Sequence, residues 1–535
     1  MTRTLTGPQL RALLTDPNAE IALLDVRAPQ VRSAGHIAVS SGVPLHDLEQ
    51  RVPVAVPLRS TPIVLASEPD LDYRAADILA RLGYTDVSVL ADGLAGWTAA
   101  GGRLYTGTNV RSKTLGEWIE KHYGTATVDS ETVAAWRAAG EDVVVLDSRP
   151  HGEYVHHHIP GGYDTGGGAE LAYRGLQLVT KPTTKIVINC AGRTRGIVGA
   201  QSVINTGIAN PVFSLHNGTP AWGWAGQQIE AGPGNPLDAP AAVPDDLRQW
   251  AGRTLADAGV DVLPLAELAG LQADQSRTTY VIDVRTPQEY AAGTAPGARN
   301  VQGGQLVQGS DEHIAVRGAR IVLVDNDELV RAASTVQWLR YLHDGPVAVV
   351  ALAPGVTAAP ELPAVALPEV PVITGTELAQ AIESGTAPVI FDLRNSRDYA
   401  AGHLPGSIHA RREHLTRAAT GAARIVLVGD NPPTPQQGGH DLQTGSLGGY
   451  HPHFAARDLI EQGHDVAVLE HGPDSVGIAL TAENPSYTGD IADQVGPPPF
   501  GPARDAWYRE YFEWEYSLLP ESEGDPDFDF ESKTS

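Results

Sequence analysis

The sequence predicts an α/β fold of four tandem domains, each a mainly parallel sheet flanked by helices, followed by a C-terminal tail. Three observations carry that prediction. Short apolar runs rich in Val and Ile end in Asp-x-Arg four times. Each Asp stands eleven residues ahead of one recurring turn. Each copy then continues into a second apolar strand and a third strand that ends at glycine. Strand, helix and strand in series make βαβ units and hence a parallel sheet.

The first strands are residues 21–27 (IALLDVR), 143–149 (VVVLDSR), 280–285 (YVIDVR) and 389–394 (VIFDLR). Unbroken apolar runs of this kind fit strands covered on both faces, as parallel sheets are. Asp25, Asp147, Asp283 and Asp392 each precede His36, His158, Thr294 and His403 by eleven positions. Those residues lie in the turns 35–37 (GHI), 157–161 (HHIPG), 293–297 (GTAPG) and 402–406 (GHLPG). Second strands come next at 63–65, 186–188, 321–324 and 425–428. Helical stretches come directly after them in the first three copies, as in 73–82 (YRAADILARL). The third strands close at Gly93, Gly218, Gly355 and Gly472.

These marks divide the chain into repeats at 1–108, 109–235, 236–368 and 369–485, with 486–535 beyond them. Residues 114–123 read as an amphipathic helix bridging repeats one and two, with Leu115, Trp118 and Ile119 on one face and Gly124 as its stop. The Pro- and Ala-rich stretches 232–244 and 353–371 read as linkers. Residues 431–450 read as a mobile insertion in repeat four.

Composition narrows the function classes. The 535 residues exceed what one core supports. A net charge of −26 argues against nucleic acid and anionic membranes as partners, and any anion site needs a local arginine cluster. The single cysteine excludes an intramolecular disulfide and a cysteine-rich zinc site. The N-terminal residues lack a basic segment followed by an apolar run, and no stretch reaches spanning length. A reducing cytoplasm fits best, since a thiolate persists there.

The Asp-x-Arg strand end, the Gly-His-Ile-Pro-Gly-like turn and the strand leading into a cysteine loop together resemble the rhodanese homology domain. The resemblance covers nearly all of residues 1–480 and is strongest in repeat two. It implies that a cysteine opens a short loop between the central strand and the next helix. Tandem members of that family usually carry an inactive copy ahead of the catalytic one, the order of repeats one and two here. At the nucleophile position the four repeats read Ser67, Cys190, Asp325 and Gly429, so repeat two alone keeps it.

The loop reads Cys190-Ala191-Gly192-Arg193-Thr194-Arg195-Gly196. A strand-to-helix loop opens on a helix N-terminus, where free N–H groups and the dipole favour an anion. Small residues let several amides point inward as an anion nest. Ala191, Gly192, Thr194 and Gly196 are thus expected to contact substrate, with Arg193 and Arg195 supplying positive charge. Such surroundings lower a cysteine pKa, so the sequence predicts a largely ionised Cys190. The thiolate would take the outer sulfur of a sulfane donor and hold it as a persulfide, in ping-pong fashion.

The resemblance narrows the chemistry further. Sulfurtransferase loops place an arginine five positions after the cysteine, as Arg195 is; related dual-specificity phosphatases place it six after, where Gly196 stands. Mercaptopyruvate-type loops resemble Cys-Gly-x-Gly-Val-Thr and lack these arginines. Arg193 and Arg195 suit thiosulfate or the carboxylates of glutathione persulfide. With no second cysteine, the acceptor must come from outside as a small thiol, cyanide or a protein.

Lesser features stand beside these. Tyr173 and Arg174 are candidates for the pocket rim; the alternative is a solvated surface pair. Asp147 and Arg149 are expected to brace the sheet end. His216 either faces the pocket or lies on the surface. His156, His157 and His158 are consecutive and cannot all converge on one ion, so neither a metal nor another cofactor is expected; the same holds for His451 and His453. Residues 504–518 form an aromatic-rich helix expected to dock on its own chain, a second subunit being the alternative; 520–535 is acidic and expected to be disordered. The leading expectation is a sulfurtransferase. The alternatives are a sulfur-relay or scaffold protein whose cysteine-less repeats bind partners, a mercaptopyruvate-type enzyme, and an arsenate or phosphate-ester activity.

Overall fold

A computed structural model describes residues 2–16, 19–353, 355–356, 365–430 and 452–534. It contains four largely parallel sheets flanked by helices, one for each repeat. In repeat two the strand order is Asn235–Pro236, Tyr163–Asp164, Val143–Asp147, Lys185–Asn189, Val212–Leu215 and Thr127–Val128, all parallel. Repeat three keeps the plan with Asp261–Leu263, Val347–Leu352, Arg320–Asn326, Thr279–Asp283 and Arg299–Asn300. Repeat four does so with Val372–Ile373, Val466–Leu469, Ile425–Val428, Val389–Asp392 and Ile408–His409.

The Asp-x-Arg motif has one job in every copy. The arginine side chain grips the Asp two residues earlier, as in Arg149 Nη2 to Asp147 Oδ2 at 2.7 Å. Its Nη2 also donates to a backbone carbonyl eight residues on: Gly35, His157, Gly293 and Gly402, at 2.7–2.8 Å. The buried ion pair thereby ties the strand end to the recurring turn, so strand and turn keep a constant spacing.

Two compact units emerge, and they do not follow chain order. The first draws on 1–12, 23–106 and 363–495, essentially repeats one and four; the second draws on 13–22, 107–362 and 496–535, repeats two and three with the C-terminal segment. Within the first, Arg412 of repeat four is 2% exposed and reaches Glu49 of repeat one at 2.9 Å and Asp458 at 2.6 Å. Within the second, Arg331 of repeat three meets Glu289 at 2.7 Å and Glu170 of repeat two at 3.3 Å. Trp338 donates to the Ser202 hydroxyl at 2.7 Å.

The predicted bridging helix runs Val110–Tyr123 and stops at Gly124, whose φ is +65°. It lies in the second unit, against the helix Thr194–Asn205. Gly116 allows that approach: a Cβ there would sit 2.9 Å from the Thr194 methyl.

The C-terminal segment differs from expectation. Helix Pro502–Glu521 is followed by short 3-10 turns at Pro526–Phe528 and Glu531–Lys533. Phe528 and Phe530 are buried, and Trp118 donates to Glu531 at 2.9 Å. Acidic composition argues for disorder, but two aromatic anchors fix the segment. The insertion 431–450 and much of the linker 353–371 lie outside the described residues. No described helix is long and apolar enough to cross a membrane.

Candidate active site

Cys190 follows the strand Lys185–Asn189, which runs between two neighbours in the sheet, and precedes the helix Thr194–Asn205. The loop thus opens at the carboxyl ends of parallel strands, where α/β sheets place ligands. The amide of Gly192 donates to Cys190 Sγ at 3.3 Å. The amide of Gly196 acts on the thiol in the same sense. Gly218 is held at φ +56°, where a Cβ would collide with the Cys190 carbonyl oxygen. The neighbouring Thr219 amide donates to that oxygen at 2.9 Å, fixing the strand end. Asn189 Nδ2 donates to Asp147 at 3.0 Å, so the Asp-x-Arg brace reaches the base of the loop.

The two loop arginines part company. Arg195 forms a fork with Glu153 at 2.5 and 2.9 Å and reaches Gln305 at 3.3 Å. Its charge acts on the Cys190 thiol. The Arg193 guanidinium instead binds Glu117 at 2.8 and 2.9 Å, Glu120 at 2.5 Å and the Tyr516 hydroxyl at 2.9 Å. Burial pushes the Glu117 carboxyl up to about 7, against the pull of Arg193. Arg193 therefore pins the loop to the helix Val110–Tyr123.

Helix Pro502–Glu521 covers the site. The rings of Phe512 and Tyr511 come within 3.5 and 3.6 Å of where a Gly192 Cβ would stand, and Glu515 Oε2 within 4.0 Å. Glu515 is fully buried, and its Oε1 accepts from the Thr194 hydroxyl. Lys113 lies over the Tyr511 and Trp514 rings at 5.0 and 4.8 Å.

Cys190 is only 2% exposed in consequence. Burial pushes its thiol above the ordinary value, and the Glu515 charge adds to that. Arg195 and the Gly192 and Gly196 amides pull the other way. The lowered value read from the loop alone is thus corrected: a segment more than 300 residues along the chain supplies the apolar cover.

Tyr173 and Arg174 face repeat three. The Tyr173 hydroxyl accepts from Asn326 at 2.9 Å and its ring lies 4.3 Å from the Arg331 guanidinium; Arg174 pairs with Glu170 at 2.8 Å and Glu289 at 3.1 Å. His216 Nε2 meets the Tyr516 hydroxyl at 2.9 Å, on the Arg193 side of the loop. Sequence reasoning does not find Glu153, Glu117, Gln305, Tyr511, Phe512 or Glu515 as parts of the site. The aromatic helix is visible there, but not its place of docking.

The sister positions are occupied differently. In repeat one the Ser67 amide donates to Asp72 at 2.9 Å, and burial lifts that carboxyl to about 6. In repeat three Asp325 fills its own cradle, accepting from Arg331 Nε at 2.9 Å and from the Ala332 amide at 2.9 Å. A fixed carboxylate stands there where repeat two has the Cys190 thiol. In repeat four Gly429 is the last residue but one before the undescribed stretch 431–451.

Comparison with known proteins agrees with this architecture. The rhodanese-like domain model matches residues 6–100, 130–224, 265–358 and 374–438, more than half of the chain. A solved thiosulfate sulfurtransferase from Pseudomonas aeruginosa is 35% identical, with a TM-score of 0.87, and the match covers 98% of this chain and 99% of that one. The Alr3790 protein of Anabaena sp. is 28% identical over 19% of this chain and 80% of that one, with a TM-score of 0.18. No curated protein matched the sequence.

Proposed function

The chain belongs to the rhodanese-like domain family, and on that premise we propose that it moves sulfane sulfur from thiosulfate or a small persulfide to cyanide or a thiol, through a persulfide on Cys190. The family and the thiosulfate sulfurtransferase neighbour support sulfur transfer in general. The observation that carries the finer reading is the cradle itself: the Gly192 amide aimed at Sγ from 3.3 Å, with Arg195 held close by Glu153.

In this reading the Cys190 thiolate attacks the outer sulfur of thiosulfate. A Cys190–sulfur bond forms, the donor S–S bond breaks, and sulfite leaves with the bonding pair. The persulfide is held by the Gly192 and Gly196 amides and by Arg195. An incoming thiol or cyanide then takes the outer sulfur and returns the Cys190 thiolate. Arg193 is given a positioning part, anchoring the loop through Glu117 and Glu120. A reducing compartment such as the cytoplasm suits a lone working thiol.

Mass spectrometry after thiosulfate treatment should find one added sulfur, on the peptide that holds Cys190. Cys190→Ala should abolish both the adduct and thiocyanate formation. Full turnover by Cys190→Ala would sink the proposal.

A further inference from the structure

Arg195 and Arg331 are counterparts in two sister cradles. Each is the second residue of the helix that follows its repeat's central strand, Thr194–Asn205 in repeat two and Val330–Leu342 in repeat three. Each reaches a glutamate six positions past the Asp of its own Asp-x-Arg motif: Glu153 at 2.5 Å and Glu289 at 2.7 Å. Each also crosses the seam between the repeats. Arg331 meets Glu170 at 3.3 Å, on the short helix Glu170–Tyr173, and Arg195 donates to Gln305 at 3.3 Å, on the helix Gly303–Gln308. Both helices follow the short strand paired with the Asp-x-Arg strand, and Leu171 and Leu306 come next. Glu170 and Gln305 are therefore counterparts too, differing by a nitrogen in place of an oxygen and by a charge.

That difference separates the cysteine-bearing cradle from the filled one. Arg331 pairs with three carboxylates, those of Asp325, Glu289 and Glu170. Among the described residues Arg195 pairs with one, Glu153; the other two places hold the Cys190 thiol and the Gln305 amide. In a weakly screening interior a carboxylate offsets the field of a guanidinium, whereas an amide carbonyl accepts a hydrogen bond without a net charge. The seam allows the contact through small residues. A Cβ on Gly304 would stand 2.7 Å from the Gly168 amide nitrogen, and one on Gly303 would stand 2.9 Å from the Ala169 Cβ. Glu515 also lies against the loop, and Lys113 acts on it with the opposite charge.

We propose that Gln305 of repeat three sets donor specificity at the Cys190 site, as a neutral cross-repeat partner that holds Arg195 while leaving its charge for an anionic sulfur donor. The proposal deepens the persulfide reading and rests on it for the identity of the donor. Gln305 acts through Arg195 and is a positioning residue. A glutamate there would bring Arg195 a second carboxylate, as Glu170 does for Arg331, and the site would then favour a neutral reagent over an anion. Repeat three thereby takes part in the chemistry of repeat two, although its own cradle is filled.

Alkylation of the lone cysteine, followed by mass spectrometry on the full chain, tests this. Iodoacetate and iodoacetamide are alike in size and attack the same thiolate. Thiol ionisation and the cover of the C-terminal helix therefore cancel in the ratio of their rates, and the field met by an incoming anion remains. Gln305→Glu should lower that ratio about tenfold and slow loading by sub-saturating thiosulfate, a dianion, about a hundredfold. Gln305→Met adds no charge and should keep the ratio within about twofold of the wild type. An unchanged ratio in Gln305→Glu, or an equal fall in both variants, would overturn the assignment, because a residue that merely packs the seam gives one of those results. Should Gln305→Glu part the repeats, seen as a change in the fluorescence of Trp338 at the seam, Gln305→Met decides: a fall of about tenfold in its ratio overturns the proposal. A ratio that falls in Gln305→Glu alone, in a protein whose wild type gains no sulfur from thiosulfate, would refute the persulfide reading and uphold the electrostatic role of Gln305.

Discussion

At Cys190 opposing influences meet within one loop. Burial raises the thiol, while Arg195 and two backbone amides draw it down. An opposite charge close by favours the ionised form, so Arg195→Met should move the pH midpoint of Cys190 alkylation by iodoacetamide upward. The same change strands Glu153 in a largely buried position. Breaking such a pair costs about 3–5 kcal/mol, which a urea melt should show. A midpoint that moves down would remove Arg195 from the electrostatics of the thiol. Repeat three makes the same point by contrast. Asp325 brings its own carboxylate to Arg331, so that cradle is already filled.

At the scale of elements, helix Pro502–Glu521 turns an open loop into a covered site. Phe512 is 3% exposed and lies against Gly192, with the Trp224 ring at 5.9 Å. Phe512→Ala should loosen the helix by about 3–5 kcal/mol, and Cys190 should then react faster with a bulky disulfide reagent. An unchanged rate would mean that the helix is not what shields the thiol. This cover was illegible in the sequence. Aromatic spacing marks a helix with a face to bury, but the surface receiving that face is assembled from the Cys190 loop and the helix Val110–Tyr123, far away in the chain. The strands, by contrast, were legible, because apolar runs and the Asp-x-Arg spacing are local signals. That spacing is held by an arginine that binds only two and eight residues away.

At the scale of the molecule, repeats pair one with four and two with three. Glu49 and Arg412 join repeats one and four, 363 positions apart in the chain. Glu49→Ala leaves Arg412 buried beside a missing partner and should lower the stability of that unit by about 3–5 kcal/mol. Denaturation followed by circular dichroism should show an earlier first transition, while sulfur loading of Cys190 before that transition stays at the wild-type level. A single transition that shifts as a whole, with loss of loading, would refute this independence.

By itself the sequence determined the repeated parallel α/β domains, the one cysteine and the glycine- and arginine-bearing loop after it. These rest on residues that act on near neighbours: backbone periodicity, small residues in a turn, charges within a few positions. Only the tertiary structure decided which carboxylates hold the arginines, which helix buries the thiol, and which repeats share a unit. Those outcomes depend on side chains from distant segments meeting in one buried, weakly screening place, where a single carboxylate or ring changes the energy of a charge more than the local sequence does.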